Sequence, residues 1–297
     1  MPGSYFMLAL MILLMGALAS AIAVTIMAFA ILCPPRFTDG IAVWRLKRLS
    51  PGDLGLPFED VQFNIRDQRD GRPLRLVGWW MPRPARGPHG NAAPPAGQGR
   101  CVVVLHDYGQ AKVSVIEWAP LWHSLGFNIL AIDHRAHGES EGRYCTGGYW
   151  ERHDVDQALD QLRAQRAADT MKLVLFGIGL GAAVAVAAGV LREDVSAIVL
   201  ANVPDGFPVL GTSHLALVGS RDQFRGSMPV WLAQKIADCD FAAVSPPSLL
   251  HQIKCPVLAL SLPSDDDISK DQGSIQQLSE FMDRHLPSLG AQATTFR

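Results

Sequence analysis

The chain contains at residues 173–183 the stretch LVLFGIGLGAA, an apolar run that is interrupted by glycines and then continues in small residues. Residues 173–176 have the composition of a strand that is buried on both faces. Residues 182–190 predict a helix that packs closely on the sheet, because alanine and glycine let the two backbones approach. The alternating glycines between them mark a sharp turn from strand to helix, and the rest of the chain is organised around this turn.

Two sequence patterns use such a turn. In the pattern Gly-x-Ser-x-Gly a serine nucleophile stands on the turn, whereas the pattern Gly-x-Gly-x-x-Gly/Ala binds the phosphates of a dinucleotide. The chain matches the second pattern at Gly177, Gly179 and Ala182. It matches the first pattern except that Gly179 stands at the serine position. The turn by itself leaves both alternatives open.

The composition is that of a folded protein that does not bind nucleic acid. The 297 residues are 48% hydrophobic and carry a formal net charge of −2, which allows one large core. No basic stripe is present that could neutralise phosphates. The five cysteines are widely spaced and lack the spacing of a zinc site or a disulfide framework. We therefore expect neither a metal nor another cofactor, and the sequence does not indicate an oligomeric state.

The N-terminal region predicts a single-pass membrane anchor at residues 1–35. Within it, residues 6–33 carry no charge and are long enough to cross the roughly 30 Å hydrocarbon core as a helix. No Lys or Arg precedes Arg36, which favours a retained anchor over a cleaved signal peptide. The basic residues that follow the run are Arg36, Arg45, Lys47 and Arg48. By the positive-inside rule, the folded part should face the cytoplasm.

Residues 36–297 predict one domain in which strands and helices alternate. Two strands at 61–65 and 74–81 are separated by a turn signal and predict an antiparallel hairpin. The other predicted strands are 101–105, 128–132, 173–176, 197–200, 256–260 and 293–296. The predicted helices are 113–124, 150–165, 182–190 and 274–286. This order predicts an α/β fold with a mostly parallel sheet of about eight strands, covered by helices on both faces.

Two stretches interrupt the alternation. Residues 83–100 are rich in Pro, Gly and Ala without periodicity, which predicts a disordered surface loop. Residues 205–252 are irregular apart from a helical patch at 228–236, and we interpret them as a small cap inserted between two strands. Trp79 and Trp80 lie on a predicted strand, where packing in the core is the expected role.

Several motifs stand in a specific order around the central turn. Residues 104–109 read VLHDYG and residues 133–140 read DHRAHGES, each at the end of a predicted strand, and Ser245-Pro246 and residues 254–258 follow later. Together they resemble the α/β-hydrolase superfamily, in particular its membrane-anchored, serine-aminopeptidase-like bacterial hydrolases. The resemblance extends from about residue 50 to the C-terminus and implies the α/β-hydrolase fold.

The resemblance also implies where a catalytic triad would stand. The nucleophile position is Gly179, which has no side chain that could form an acyl intermediate. The acid position is Asp265, and the base is expected on a later loop, yet no histidine follows the last predicted strand before Arg297. His285 lies earlier, on the helix face of Leu278 and Met282, and is interpreted as a residue at the edge of the core.

The backbone N–H groups of Tyr108 and Leu180 are the positions that the resemblance implies for an oxyanion hole. Asp107 stands where the family usually has glycine, and its carboxylate would oppose a developing negative charge if it pointed inward. If it pointed outward it would only shape the loop. The histidines interpreted as hydrogen-bonding scaffold residues are His106, His134 and His137.

These observations favour a membrane-tethered pseudo-hydrolase that has lost ester or amide hydrolysis and binds a small acyl or lipid-like ligand, or a protein. An alternative is an active hydrolase with a displaced nucleophile and base, for example Ser213 with His214. A second alternative is a dinucleotide-binding protein that uses the pattern at Gly177 to Ala182. Against this last reading, at least three strands precede the turn, and Asp205, the nearest candidate for the ribose-binding acid, lies beyond the next strand.

Overall fold

The structure is a computed structural model that describes residues 2–83, 99–207, 228–262 and 271–287. Its strands are β1 (Glu59–Arg66), β2 (Pro73–Met81), β3 (Arg100–Leu105), β4 (Asn128–Ile132), β5 (Lys172–Ile178), β6 (Val195–Ala201) and β7 (Val257–Leu260). Its α-helices are α1 (Pro2–Leu32), α2 (Asp39–Leu46), α3 (Ala119–Ser124), α4 (Glu151–Gln165), α5 (Leu180–Leu191), α6 (Met228–Ala237), α7 (Pro246–Leu249) and α8 (Gln272–His285). Short 3₁₀ segments lie at Pro51–Leu54, Lys112–Trp118, Ala167–Asp169, Ala242–Val244 and Leu250–Gln252.

The described strands form one sheet of seven, in the order β1-β2-β4-β3-β5-β6-β7. The hairpin β1 and β2 is antiparallel, and β2 pairs antiparallel with β4. From β4 to β7 every pairing is parallel. The predicted α/β architecture with an antiparallel hairpin at one edge is therefore confirmed. The predicted strand at 293–296 lies outside the described residues.

Helices cover both faces of the sheet, as predicted. On one face α4, α5 and α6 pack with the end of α1 in a cluster that contains alternate residues of β3 and β5. On the other face α3 and α8 pack over the remaining residues of the same strands. The central strands are buried on both sides for this reason, which explains why they read as continuous apolar runs in the sequence.

Two sequence predictions need correction. The helix predicted at 113–124 is a 3₁₀ segment up to Trp118 and an α-helix only from Ala119. Pro120 accounts for the division, since proline fits the first turn of an α-helix but disrupts a helix interior. His285 is exposed in the last turn of α8, with its ring 4.7 Å from that of Phe281, and does not lie at the edge of the core.

The helix α1 has two parts with different surroundings. Nearly all side chains from Tyr5 to Ile26 are exposed, and the stretch Tyr5–Leu32 is long and apolar enough to cross a membrane, with a mean hydropathy of 2.5. The last turns are instead packed into the domain, where Ile31 and Leu32 are fully buried. The Cys145 N–H donates to the Leu32 carbonyl at 2.8 Å, so the helix end is attached to the sheet domain by its backbone.

Candidate functional site

Gly179 lies at the crest of the turn between β5 and α5, as the sequence predicts. Its φ of +54° and ψ of −113° belong to a region that side chains rarely adopt. Its carbonyl accepts the N–H of Ala182 at 3.1 Å and of Ala183 at 3.3 Å, which starts the helix immediately after the turn. The turn therefore presents the first N–H groups of α5 to the carboxyl end of the sheet.

Glycine at positions 181 and 177 allows close backbone packing, of the turn against β3 in one case and within the turn itself in the other. A Cβ on Gly181 would overlap the carbonyl of Leu105, and a Cβ on Gly177 would overlap the carbonyl of Gly181. Because the overlapped atoms belong to the backbone, no side-chain rotation could relieve either contact. This close packing brings the N–H of Leu180 next to the loop that follows β3.

The carboxylate of Asp107, in that loop, points inward to the turn. Its Oδ1 accepts the N–H of Tyr108 at 2.6 Å and the N–H of Leu180 at 2.7 Å. A Cβ on Gly179 would overlap the same carboxylate. Asp107 thus binds both N–H groups that the sequence assigns to an oxyanion hole and also fills the space where a nucleophile's side chain would begin.

His106 and His134 are buried beside this loop and bind each other. The Nδ1–H of His106 donates to the Asp107 carbonyl at 2.8 Å, and its Nε2 accepts the N–H of His134 at 3.1 Å. The Nε2 of His134 lies 3.2 Å from the carbonyl of His106 and donates to it. Burial is the main cause that lowers the pKa of both rings well below the ordinary value.

The hydrogen bonds of His106 leave it no free ring nitrogen. Its Nε2 lies 3.9 Å from Asp133 Oδ1, but this nitrogen already accepts an N–H, so the pair is not ionic. His106 therefore orients the loop that carries Asp107 and cannot serve as a base there. The scaffold role predicted for His106 and His134 agrees with this geometry.

His137 is the third ring of the cluster. Its Nδ1–H donates to the Arg135 carbonyl at 2.9 Å, and burial lowers its pKa. Its Nε2 is buried without a hydrogen-bond partner among the described residues. The edge of the ring packs against Tyr108, with centroids 5.8 Å apart. His137 thus packs behind the oxyanion loop, and its hydrogen bond to Arg135 agrees with the predicted scaffold role.

Charged pairs hold the loop of residues 133–140 in place. Asp133 accepts the backbone N–H of Lys112 at 2.6 Å and its Nζ at 3.0 Å, and Arg135 forms two bonds of 2.6 Å with Asp154. Burial alone would lower the pKa of Lys112, but Asp133 and Glu139 raise it above the ordinary value. Sequence reasoning missed the role of Lys112 and Asp154, because neither belongs to a motif.

The side chain of Tyr108 connects this site to the end of α1. Its hydroxyl lies 3.3 Å from the Ala30 carbonyl and 3.2 Å from the Ile31 carbonyl. Its ring packs against Phe207, with centroids 5.9 Å apart. Tyr108 therefore contacts Asp107 through its backbone and the membrane-spanning candidate through its hydroxyl.

Comparison with known proteins identifies the fold. Residues 98–204, which include β3, the turn and β6, match the model of the serine aminopeptidase family S33. The esterase Pf2001 of Pyrococcus furiosus superposes with a TM-score of 0.59 over 86% of this chain and 98% of its own, at 17% identity. This chain has the α/β-hydrolase fold. The acylaminoacyl peptidase of Pyrococcus horikoshii is similar in fold, with a TM-score of 0.52 and 16% identity over 84% of this chain and 44% of that chain.

Curated relatives share part of the sequence. The uncharacterized protein Rv2307c of Mycobacterium tuberculosis is 30% identical over 150 residues, which are 50% of this chain and 48% of the relative. The uncharacterized protein YqkD of Bacillus subtilis is 25% identical over 176 residues, 56% of this chain and 55% of the relative. Each match spans about half the length of the curated relative.

The remaining site assignments of this α/β-hydrolase-fold protein stay predictions. Asp265, Ser213 and His214 lie outside the described residues. The assignment of Tyr108 and Leu180 as oxyanion donors is compatible with their N–H groups converging on one oxygen. Within the part of the chain that the structure describes, no group of three or more His, Cys, Asp or Glu residues converges to hold a metal ion.

Proposed function

We propose that this chain is a membrane-tethered pseudo-hydrolase, which keeps the α/β-hydrolase scaffold, does not hydrolyse esters or amides, and binds a small acyl or lipid-like ligand. The observation that carries the proposal is the position of Asp107. Its carboxylate accepts the N–H groups of both Tyr108 and Leu180 and fills the space beside Gly179. The place where a hydrolase holds a substrate's carbonyl is therefore taken by a side chain of the protein.

Two separate obstacles to acyl transfer follow from this arrangement. Gly179 supplies no oxygen that could attack a carbonyl. The N–H pair that would stabilise an oxyanion is bound to a carboxylate, which repels a second negative charge at the same place. Loss of the nucleophile in a serine hydrolase typically lowers kcat by about 10⁶-fold, and an occupied oxyanion hole removes the remaining transition-state stabilisation.

A fluorophosphonate probe tests the loss of hydrolysis directly, because it labels the activated serine of working serine hydrolases. We expect no labelling of the purified full-length chain and no turnover of p-nitrophenyl butyrate, beside an active serine esterase as the positive control. Stoichiometric labelling would overturn the proposal.

The ligand part of the proposal is supported by the position of the site near a candidate membrane helix. Tyr108 contacts the last carbonyls of α1, so a lipid-like molecule could reach the domain from the bilayer. A separate cavity of about 520 Å³ lies beneath α2, and its lining combines apolar side chains such as Phe37 and Phe58 with charged ones such as Asp60, Lys112 and Glu139. This volume is in the range of small-molecule sites.

A diazirine analogue of palmitic acid tests this part. We expect irradiation of the full-length chain in lipid nanodiscs to label residues that line the cavity or the cap, and unlabelled palmitic acid to compete. Uniform labelling of the exposed side chains of α1, without competition, would show that the probe reports only on the surrounding lipid and would count against a ligand site.

The two alternative functions make different predictions. The displaced-nucleophile hypothesis predicts ester turnover that Ser213→Ala abolishes, and the fluorophosphonate experiment examines the same activity. The dinucleotide hypothesis requires a pyrophosphate at the N-terminus of α5, where the carboxylate of Asp107 is bound to the Leu180 N–H. Like charges at that position oppose cofactor binding, so calorimetry with millimolar NAD should show no saturable heat.

A further inference from the structure

The length of α1 places the membrane boundary close to the domain. The 22 residues from Tyr5 to Ile26 are almost all exposed, and at about 1.5 Å per residue they span about 33 Å. This matches the roughly 30 Å hydrocarbon core of a bilayer. If α1 crosses the membrane as the proposed function requires, the hydrocarbon must end near Met27. The buried turn of α1 that follows then lies at the level of the lipid headgroups.

Helix α6 packs against this buried turn. The apolar cluster that joins them contains Ala28, Ile31, Leu32, Val230, Ala233 and Ala237. The other side of α6 exposes Met228 and Trp231, with 65% and 51% of their surface accessible. Because α6 lies beside the end of α1, these two side chains are near the headgroup level.

Helix α2 is the second element close to the boundary. The six residues that connect it to α1 are held on the domain, where Arg36 Nη1 donates to the Gly138 carbonyl at 2.9 Å. Ala42 is buried under the helix, whereas Trp44 is 80% exposed and Val43 is 51% exposed on the outside. Both Arg45 and Lys47 are exposed at the end of the helix.

The exposed tryptophans of the chain are those on α2 and α6. Of the seven, Trp44 and Trp231 are the exposed ones, and the other five are buried or half-buried. Tryptophan is enriched where a protein meets the interface between lipid and water. Exposed basic residues near an anionic membrane surface are attracted to its headgroups. Exposed aromatic side chains with adjacent basic residues therefore fit a lipid headgroup layer.

We propose that the domain lies on the surface of the bilayer that α1 crosses, through an interfacial face formed by Val43, Trp44, Met228 and Trp231. Arg45 and Lys47 contact anionic headgroups beside it. This inference rests on the membrane-spanning role of α1 in the proposed function and adds an orientation of the domain. Because Tyr108 contacts the last turn of α1, this orientation also keeps the loop that carries Asp107 at the membrane surface.

Quenching by brominated lipids tests the interfacial face. The full-length chain is reconstituted into nanodiscs of phosphatidylcholine and phosphatidylglycerol, with bromine near the top of the acyl chains. We expect the tryptophan fluorescence to be quenched, and Trp44→Phe and Trp231→Phe each to remove roughly half of the quenched signal, because the other tryptophans are shielded by protein. The matched control is Trp118→Phe, which removes a buried tryptophan and should leave the quenched signal unchanged.

The contribution of charge is measured in the same system. Arg45→Gln with Lys47→Gln should reduce the quenching in nanodiscs that contain phosphatidylglycerol and should have no effect in phosphatidylcholine alone, since neutral headgroups provide no net charge. Equal quenching of the double variant and the parent protein in both lipids would refute the electrostatic contact.

The outcomes distinguish the proposed membrane anchor from the proposed interfacial face. Retention in nanodiscs without loss of quenching in Trp44→Phe and Trp231→Phe would overturn the interfacial face and leave the anchor intact. Failure of the chain to enter nanodiscs, with extraction from membranes by alkaline carbonate, would overturn both the anchor and the face. Retention together with the loss of quenching in both variants supports the inference.

Discussion

Gly179 and Asp107 are in close contact at the crest of the central turn. The carboxylate of Asp107 stands where a side chain on residue 179 would begin, and it satisfies the N–H groups of Tyr108 and Leu180. The inward position of the Asp107 carboxylate therefore requires glycine at residue 179. A serine at 179 would displace the carboxylate, and loss of the carboxylate would leave two N–H groups without their present acceptor.

This interdependence predicts a coupling between two substitutions. Gly179→Ser should destabilise the protein by about 2 to 3 kcal/mol, because a side chain is strained at this φ and breaks the hydrogen bonds of Asp107. In the presence of Asp107→Gly the same change should cost about 1 to 2 kcal/mol less. Thermal unfolding of the two single variants and the double variant measures the coupling.

The matched control for this cycle is Gly55→Ser, because Gly55 also has a positive φ but has no atoms near its Cβ position. Gly55→Ser places a side chain at a positive φ, in the left-handed region, without the overlap, and it should show no coupling to Asp107→Gly. Strict additivity of Gly179→Ser and Asp107→Gly would contradict the contact between the two positions.

The buried histidines predict a dependence of stability on pH. Burial lowers the pKa of His106, His134 and His137 in the folded chain. In the unfolded chain a histidine has a pKa near 6.5. Below that value the unfolded state binds protons that the folded state does not, so stability should be full above about pH 7 and fall as the pH decreases.

His134→Gln isolates this effect, because its amide can still donate to the carbonyl of His106. Between pH 7.5 and 5.5 the variant should lose about 1 kcal/mol less than the parent protein. The unfolding temperature at the two pH values gives the comparison, with His285→Gln as an exposed control. An identical pH response in the parent protein and His134→Gln would exclude a contribution of the buried ring.

The sequence predicted the position of Asp107 but not its direction. The direction depends on the N–H of Leu180, which is 73 residues away from Asp107 in sequence and meets the N–H of Tyr108 at the same carboxylate oxygen. It also depends on the absence of a Cβ at residue 179. Neither is visible in a linear pattern. The scaffold histidines were recognisable because each belongs to a motif, whereas Lys112 and Asp154, which pair with Asp133 and Arg135 of the same loop, belong to none.

At the scale of elements, the helix α5 depends on glycine where it meets β3. Gly181→Ala would place a Cβ against the Leu105 carbonyl, which cannot move away, and should cost about 3 kcal/mol or more. Gly189→Ala, in the same helix, meets the terminal methyl of Ile198, which can rotate, and it gains helix propensity of about 1 kcal/mol. Thermal unfolding should therefore show a large loss for Gly181→Ala and a small change for Gly189→Ala. Equal losses would contradict the close approach of the two backbones.

The strands were predictable from sequence because each central strand is buried on both faces. The apolar runs at 101–105, 128–132 and 173–176 lie within β3, β4 and β5, and the predicted ends differ from the observed ends by two residues at most. The helix before β4 was less predictable, because its apolar residues continue across the boundary at Ala119 while its backbone changes from 3₁₀ to α. Hydrophobic patterns report burial and do not distinguish these two helices well.

At the scale of the whole molecule, one apolar run has an exposed part and a part that is buried in the domain. The sequence predicted residues 6–33 as membrane-spanning, but Ala28, Ile31 and Leu32 are fully buried in the domain. Lipid and a protein core are both apolar, so hydropathy cannot separate them. The junction between them became visible only from the contacts of α1 with α6 and Tyr108.

The last prediction concerns the side of the membrane on which the domain lies. The basic residues Arg45 and Lys47 follow α1 in the chain, so from the positive-inside rule we expect the domain on the cytoplasmic side. Trypsin should therefore leave the domain intact in intact spheroplasts and digest it in inverted vesicles. Moving the charges, with Gly3→Lys and Ser4→Lys added to Arg45→Gln and Lys47→Gln, should make part of the population accessible in spheroplasts. Digestion of the parent protein in intact spheroplasts would contradict this orientation.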